Sequence, residues 1–285
     1  MSKQAKYPKV KILGVDIDAL SMREACDYIL ALSSKKSACY IAKPYVEFMD
    51  RAASDRRVRQ LLADSELCLP DGVSLQWAAA YKQGKGGLGR ALGLAAAIVF
   101  QPSRISDPLP EKFGGTVFTW QLLAAAMEAG KSIYLIGSPA NNPIAHTAKV
   151  INNALPDLTI VGHWPGRLAG KSGDSLYKAL ASGRIEGELV DDIQQKQPDI
   201  ILVGMGFPIQ EALMAKLTPQ LHHGVLIGEG GTFDYDSFGG GRRKAPAWLQ
   251  RSGLEWFWRL ILEPSRLKRQ LAIPRFMWKV YKSKI

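Results

Sequence analysis

An α/β fold, with an open and mostly parallel sheet covered by helices on both faces, is predicted by three features. Short runs rich in Val, Ile and Leu recur along the chain, helical patterns alternate with them, and Gly, Asp or Pro closes each run. The runs are VKILGVDI (10–17), ACYIA (38–42), SELCL (65–69), SIYLIG (132–137), LTIVG (158–162), DIILVGMG (199–206) and GVLIGEG (224–230). Each reads as a buried parallel strand, because a strand covered on both faces needs apolar residues on both. The stretches between them carry helix starts: Ser21 followed by Glu24 matches a capping box, and Pro143 and Pro208 stand near helix entries. Regular alternation of this kind is the pattern of a doubly wound, Rossmann-like sheet.

Two segments break the alternation. Residues 82–110 form a glycine-rich insertion with one short apolar helix, read as a lid or a membrane-facing element. From Arg242 onward, twelve Lys and Arg stand against only Glu255 and Glu263, interleaved with Trp248, Trp256, Phe257, Trp258, Trp278 and Tyr281. Nearly all of the net charge of +11 therefore sits in this tail. The expected organisation is a body of 1–241 and a basic, aromatic, helical appendage of 242–285 that faces an acidic surface. Cutting near Arg242 is expected to leave a folded body that no longer binds anionic liposomes.

Composition excludes several classes. Three cysteines, Cys26, Cys39 and Cys68, make no even framework and no zinc spacing, as expected of reduced thiols in the cytoplasm. The longest apolar run, 91–100, is about half of the ~20 residues needed to cross a bilayer, and the first residues carry no apolar signal core. The expectation is a protein that is neither secreted nor membrane-spanning.

In an open α/β sheet, ligands bind beyond the carboxyl ends of the strands. Three junctions therefore matter: Leu69-Pro70-Asp71-Gly72, the stretch from Gly204 to Glu211, and the stretch from Gly228 to Asp234. Asp71 follows a strand and precedes a helix, where its carboxylate either takes a proton from an acceptor hydroxyl or caps the helix. The glycine-rich junctions suit a phosphate, although neither is a dinucleotide fingerprint or a P-loop. Asp234-Tyr235-Asp236 has the spacing of a cation-holding pair, as does Asp16-Ile17-Asp18, but one pair supplies too few oxygen ligands and no metal is expected. His146, His163, His222 and His223 have no metal-like spacing.

Read together, Pro70-Asp71-Gly72, Gly206-Phe207-Pro208-Ile209-Gln210-Glu211, Gly230-Gly231-Thr232-Phe233-Asp234, Ala245-Pro246-Ala247-Trp248, Leu254-Glu255-Trp256-Phe257-Trp258-Arg259-Leu260 and Glu263-Pro264-Ser265-Arg266 resemble the WecG/TagA/CpsF glycosyltransferases, in register over nearly the whole chain. The resemblance implies an inverting, metal-independent transferase without a cofactor. Its donor is a UDP-sugar of the N-acetylmannosamine type and its acceptor a polyprenyl-diphosphate-linked sugar, in the synthesis of teichoic acid or another surface polysaccharide. It implies a peripheral enzyme on the cytoplasmic, inner face of the bacterial membrane, with an anionic membrane surface and no nucleic acid as partner; a homo-oligomer is compatible with it. By motif, Asp71 falls on the catalytic base, Gln210 on a functional glutamine and Asp234 on the nucleotide pocket. Arg259, Arg266 and Arg269 fall on arginines of the closing appendage, where guanidinium groups neutralise a departing diphosphate. Seven- and three-residue spacings would set these three within about 80° on one helix, although Pro264 interrupts it.

The chain also departs from the family pattern. Lys43-Pro44-Tyr45 replaces a Thr-x-Asn, Gly115-Thr116-Val117 a Gly-x-Asp, and Lys244 an Arg, and the 82–110 segment is longer. Two rivals from other classes are a polyanion or nucleic-acid binder using the basic tail, and a dinucleotide-dependent oxidoreductase. The first gives no reason for Asp71 and Asp234 at strand ends, and the second lacks glycines at Val15-Asp16-Ile17-Asp18.

Overall fold

The computed structural model describes residues 7–137, 143–166, 187–246, 249, 255–262 and 267–283. Six strands form the main sheet, β3 (Cys39–Ala42), β4 (Leu67–Cys68), β5 (Ile133–Ile136), β6 (Ile160–Trp164), β7 (Ile200–Val203) and β8 (Val225–Gly228). All neighbours are parallel, in the order β4-β3-β8-β7-β5-β6. Of the four inner strands, β5, β7 and β8 are buried at every position, which is why their sequences carry no polar alternation.

The first predicted strand is not part of this sheet. Residues 10–17 fold back on themselves as an antiparallel hairpin, β1 (Lys9–Ile12) and β2 (Val15–Asp18), with Ile12 opposite Val15. Leu13 (φ 47°) and Gly14 (φ 84°) both take the left-handed region, the backbone of a tight two-residue hairpin turn. The hairpin docks on the outer edge of the sheet: buried Asp18 accepts a hydrogen bond from the Cys68 backbone N–H (2.8 Å) and pairs with Lys9 (3.2 Å). An otherwise open edge strand is thereby covered.

Helices pack on both faces. On one lie α1 (Met22–Ser33), α6 (Gly115–Glu128) and α7 (Ile144–Ala154), whose Ile29, Leu122 and Ile151 meet Ile41, Leu135, Leu202 and Ile227. On the other lie α8 (Gly187–Lys196) and α9 (Ile209–Leu217), whose Ile193, Leu213 and Met214 meet Tyr134, Ile136, Ile201 and Leu226. Successive strand residues thus feed opposite layers, as the pleat requires. The capping box is present at α1, where the Ser21 hydroxyl accepts from the Glu24 N–H and the Glu24 carboxylate accepts from the Ser21 N–H.

A third apolar cluster joins the hairpin to α2 (Val46–Ala52), α3 (Arg56–Ala63), α4 (Val73–Gln83), the 82–110 insertion and the end of the chain. The insertion is a helix, α5 (Leu88–Phe100), followed by a 3-10 turn at Pro102–Ile105. After α10 (Glu255–Leu262) and the short α11 (Leu267–Gln270), α12 (Ala272–Lys282) buries Ala272, Phe276 and Val280 completely, the last two in this cluster. Arg275 and Lys279 hold Asp50 of α2 at 3.1 and 2.7 Å. Within the segment expected as an appendage, α12 thus covers α2 and α4 of the body.

Candidate active site

The strand order brings the three junctions side by side. Reading along the carboxyl edge, β4 leads to Asp71, β3 to Lys43, β8 to Glu229 and Asp234, and β7 to the Gly206 loop and Gln210. Asp71 is half-buried and its backbone N–H donates to the Pro44 carbonyl (3.0 Å), while the Phe113 N–H donates to the Pro70 carbonyl (2.8 Å). The capping position of α4 is held by Gly72 (φ 104°), so Asp71 stands one residue outside it.

Gln210 lies in the first turn of α9 and is almost fully buried. Its side-chain Oε1 accepts from the Gly206 N–H (3.1 Å) and the Gly230 N–H (2.8 Å), and its Nε2 donates to Glu211 Oε1 (2.7 Å). One amide thus ties the loop after β7 to the loop after β8. Gly206 (φ 74°) and Gly230 (φ 60°) both take left-handed backbone, which turns their N–H groups onto that single oxygen. Glu211 is buried beside it with Oε2 unpartnered, and burial pushes its carboxyl up to about 8, against the opposing donations from Gln210 and its own backbone.

A buried polar cluster escaped the sequence reading. Lys43 Nζ pairs with Glu229 Oε2 at 2.7 Å, with side chains 3% and 0% exposed, and the Thr119 hydroxyl of α6 donates to the same oxygen (2.6 Å). Glu229 Oε1 has no hydrogen-bond partner. Lys43 Nζ also lies 5.1 Å from the centre of the Phe118 ring. The departure at Lys43 is thus matched by a carboxylate across the β3–β8 pair, inside the Gly228–Asp234 junction. The only sequence signal was a glutamate between glycines at a strand end. Next to this cluster α6 begins so close to the β8 loop that a Cβ on Gly115 would lie 2.1 Å from Thr232 Oγ1. Val117, in the same first turn of α6, is exposed.

Asp234 sits in a 3-10 turn after β8 and pairs with Arg242 Nη1 at 2.6 Å. The Arg242 N–H also donates to the Asp234 carbonyl (2.9 Å), and its own carbonyl accepts from the Asp236 N–H (2.8 Å). Arg242, counted with the tail by sequence, is thereby stitched to the body. Asp236 Oδ1 accepts from the Ser237 N–H (2.7 Å). Among the described residues no three His, Cys, Asp or Glu side chains cluster as a cation site. Arg266 lies outside the described residues, and for Arg259 and Arg269 only the helical backbone of α10 and α11 is described. A groove of about 900 Å³ opens elsewhere, at the amino ends of β3 and β8, between Lys36, Gln194, Gln197 and His223. The known ligand side of such sheets is the opposite edge.

Comparison with known proteins follows this geometry. A model of the Glycosyl transferase WecG/TagA/CpsF family matches residues 10–94 and 91–285. Relatives named N-acetylglucosaminyldiphosphoundecaprenol N-acetyl-beta-D-mannosaminyltransferase occur in several bacteria. The one from Bacillus subtilis (strain 168) is 27% identical over 248 residues, 87% of this chain and 81% of the relative. That from Bacillus spizizenii is 26% identical over 252 residues, 88% of this chain and 81% of the relative. That from Staphylococcus aureus (strain MRSA252) is 23% identical over 290 residues, 100% of this chain and 96% of the relative.

Proposed function

This chain belongs to the WecG/TagA/CpsF glycosyltransferase family, and on that premise we propose that it moves an N-acetylmannosamine-type sugar from UDP to a polyprenyl-diphosphate-linked sugar, inverting the anomeric carbon. The names of the relatives support both the sugar and a diphosphoundecaprenol-linked N-acetylglucosamine as acceptor. The observation that carries the reading is the placement of Asp71 at the carboxyl edge, outside the capping position of α4 and on the same edge as the loops joined by Gln210.

In the proposed step, Asp71 takes the proton of the acceptor hydroxyl as that oxygen attacks the anomeric carbon. The bond to UDP breaks on the opposite face and the diphosphate leaves with the bonding pair. Arg259, Arg266 and Arg269 supply fixed positive charge to the leaving group, a task suited to bidentate guanidinium groups. Asp234, held by Arg242, borders the nucleotide, and Gln210 serves as a positioning residue that fixes both glycine loops. No cofactor enters the scheme.

We infer a peripheral enzyme on the inner face of the cell membrane, with the basic 242–285 segment toward anionic lipid; a lipid-linked acceptor supports the membrane association. No described helix is long and apolar enough to cross a membrane, in keeping with this. Self-association is compatible with the scheme. Calorimetric titration with UDP, with and without EDTA, tests the donor side. Binding that survives EDTA is expected. No binding, even with anionic vesicles present, would contradict the reading and favour a protein that uses its basic tail on other polyanions.

A further inference from the structure

The insertion helix α5 is apolar on both of its sides. Ala91, Leu94 and Ala97 are buried, and the Trp77 indole N–H of α4 donates to the Ala91 carbonyl (3.2 Å). The opposite side presents Leu88, Leu92 and Phe100 at 60%, 61% and 80% exposure, together with Val99, and Arg90 is the sole charge in 88–100. A helix hydrophobic all round is one that is meant to be covered. Thirteen residues span about 20 Å, too short for a hydrocarbon core of about 30 Å, so such a helix lies in an interface plane. Charge narrows the cover further. Residues 82–110 carry Lys82, Lys85, Arg90 and Arg104 against Asp107, and a second copy of a +11 chain would bring like charge to a basic rim. The end of α4 links the start of α5 to the end of α12: the Gly87 N–H donates to the Tyr81 hydroxyl (3.1 Å), the Tyr81 ring lies 6.3 Å from Tyr281, and Lys82 Nζ lies 3.4 Å from Ser283 Oγ. There α12 exposes Trp278 with Lys282 Nζ 5.0 Å over its ring, an aromatic and basic pair suited to a headgroup layer.

We propose that the outer face of α5, through Leu88, Leu92, Val99 and Phe100, docks into the headgroup and acyl boundary of an anionic bilayer. The inference deepens the reading of a lipid-linked acceptor and rests on it for the reason a membrane is near.

The test uses the full chain and vesicles of phosphatidylglycerol with phosphatidylethanolamine, against vesicles of phosphatidylcholine alone. Expected are co-sedimentation with the anionic vesicles, slowed amide hydrogen exchange over 88–100 on binding, and about tenfold or greater weakening in the double variant Leu92→Asp/Phe100→Asp. Both positions are exposed, so an unchanged circular dichroism spectrum is expected as well. Wild-type exchange over 88–100 that does not change on vesicle-bound protein would overturn the proposal without recourse to any variant. So would a failure of the wild type to bind anionic vesicles, or a vesicle-free dimer that the double variant dissociates. Transfer to a short-chain, water-soluble acceptor separates the two readings: the double variant should retain it, and its absence from the wild type would sink the transferase reading while leaving the vesicle result standing.

Discussion

Asp71 and Glu211 are two carboxyls given different work by their surroundings. Asp71 is half-buried at the sheet edge, and on the proposed mechanism it accepts the acceptor's proton, so Asp71→Asn should lower turnover by about 10²–10⁴ with the fold unchanged. Turnover within about threefold of wild type would remove it from that role. Glu211 is buried, and its carboxyl is raised from the usual carboxylate range to about 8. The folded state therefore holds a proton that the unfolded state releases from about pH 4.5 upward, and stability should fall as pH rises from there through about 8. Glu211→Gln keeps the acceptor for Gln210 and has no charge to expose. Thermal melts at pH 5 and pH 9 should differ less in this variant than in the wild type, and an equal difference would refute the assignment. Lys43→Met leaves Glu229 charged and buried, at a cost of about 3–5 kcal/mol in urea unfolding. Adding Glu229→Leu should return most of that loss. Asp71 and Gln210 were legible because both stand where a strand yields to a helix. Lys43 and Glu229 were not, since they are 186 residues apart and only the β3–β8 pairing makes them neighbours.

At the scale of elements, the runs of Val, Ile and Leu foretold the inner strands because burial on both faces leaves no other composition, whereas the edge strand β6, expected to be buried, has no buried residue. The hairpin defied that rule. Its run VKILGVDI is as apolar as a central strand, and the division at Leu13 depends on a left-handed residue that is not glycine. The end of the chain shows a related effect. Its charges dominate the composition, whereas Ala272, Phe276 and Val280, spaced four apart, are the residues that join α12 to the core. Phe276→Ala should cost about 3–5 kcal/mol, read as a lowered melting temperature. A chain cut before Ala272 should be insoluble or molten. A cooperative melt close to the wild-type temperature would return α12 to the status of a separable appendage.

For the whole molecule, the sequence supplied the junctions and the strand order supplied the site. Nothing in the separate motifs says that β4, β3, β8 and β7 are consecutive, and that adjacency sets Asp71, the Lys43–Glu229 pair and the Gln210 clamp along one edge. The basic segment follows the β8 loop directly and is tied to it through Arg242 and Asp234. The proposed scheme joins a catalytic edge, a diphosphate-binding tail and a membrane surface. The measurement that tests it most directly is transfer of labelled sugar from UDP-N-acetylmannosamine to a lipid-linked N-acetylglucosamine acceptor, with the product's anomeric configuration read by NMR. The account predicts an inverted linkage, formed in EDTA and abolished or nearly so by Asp71→Asn. A retained configuration, or no product from a wild-type protein that binds both substrates, would contradict it.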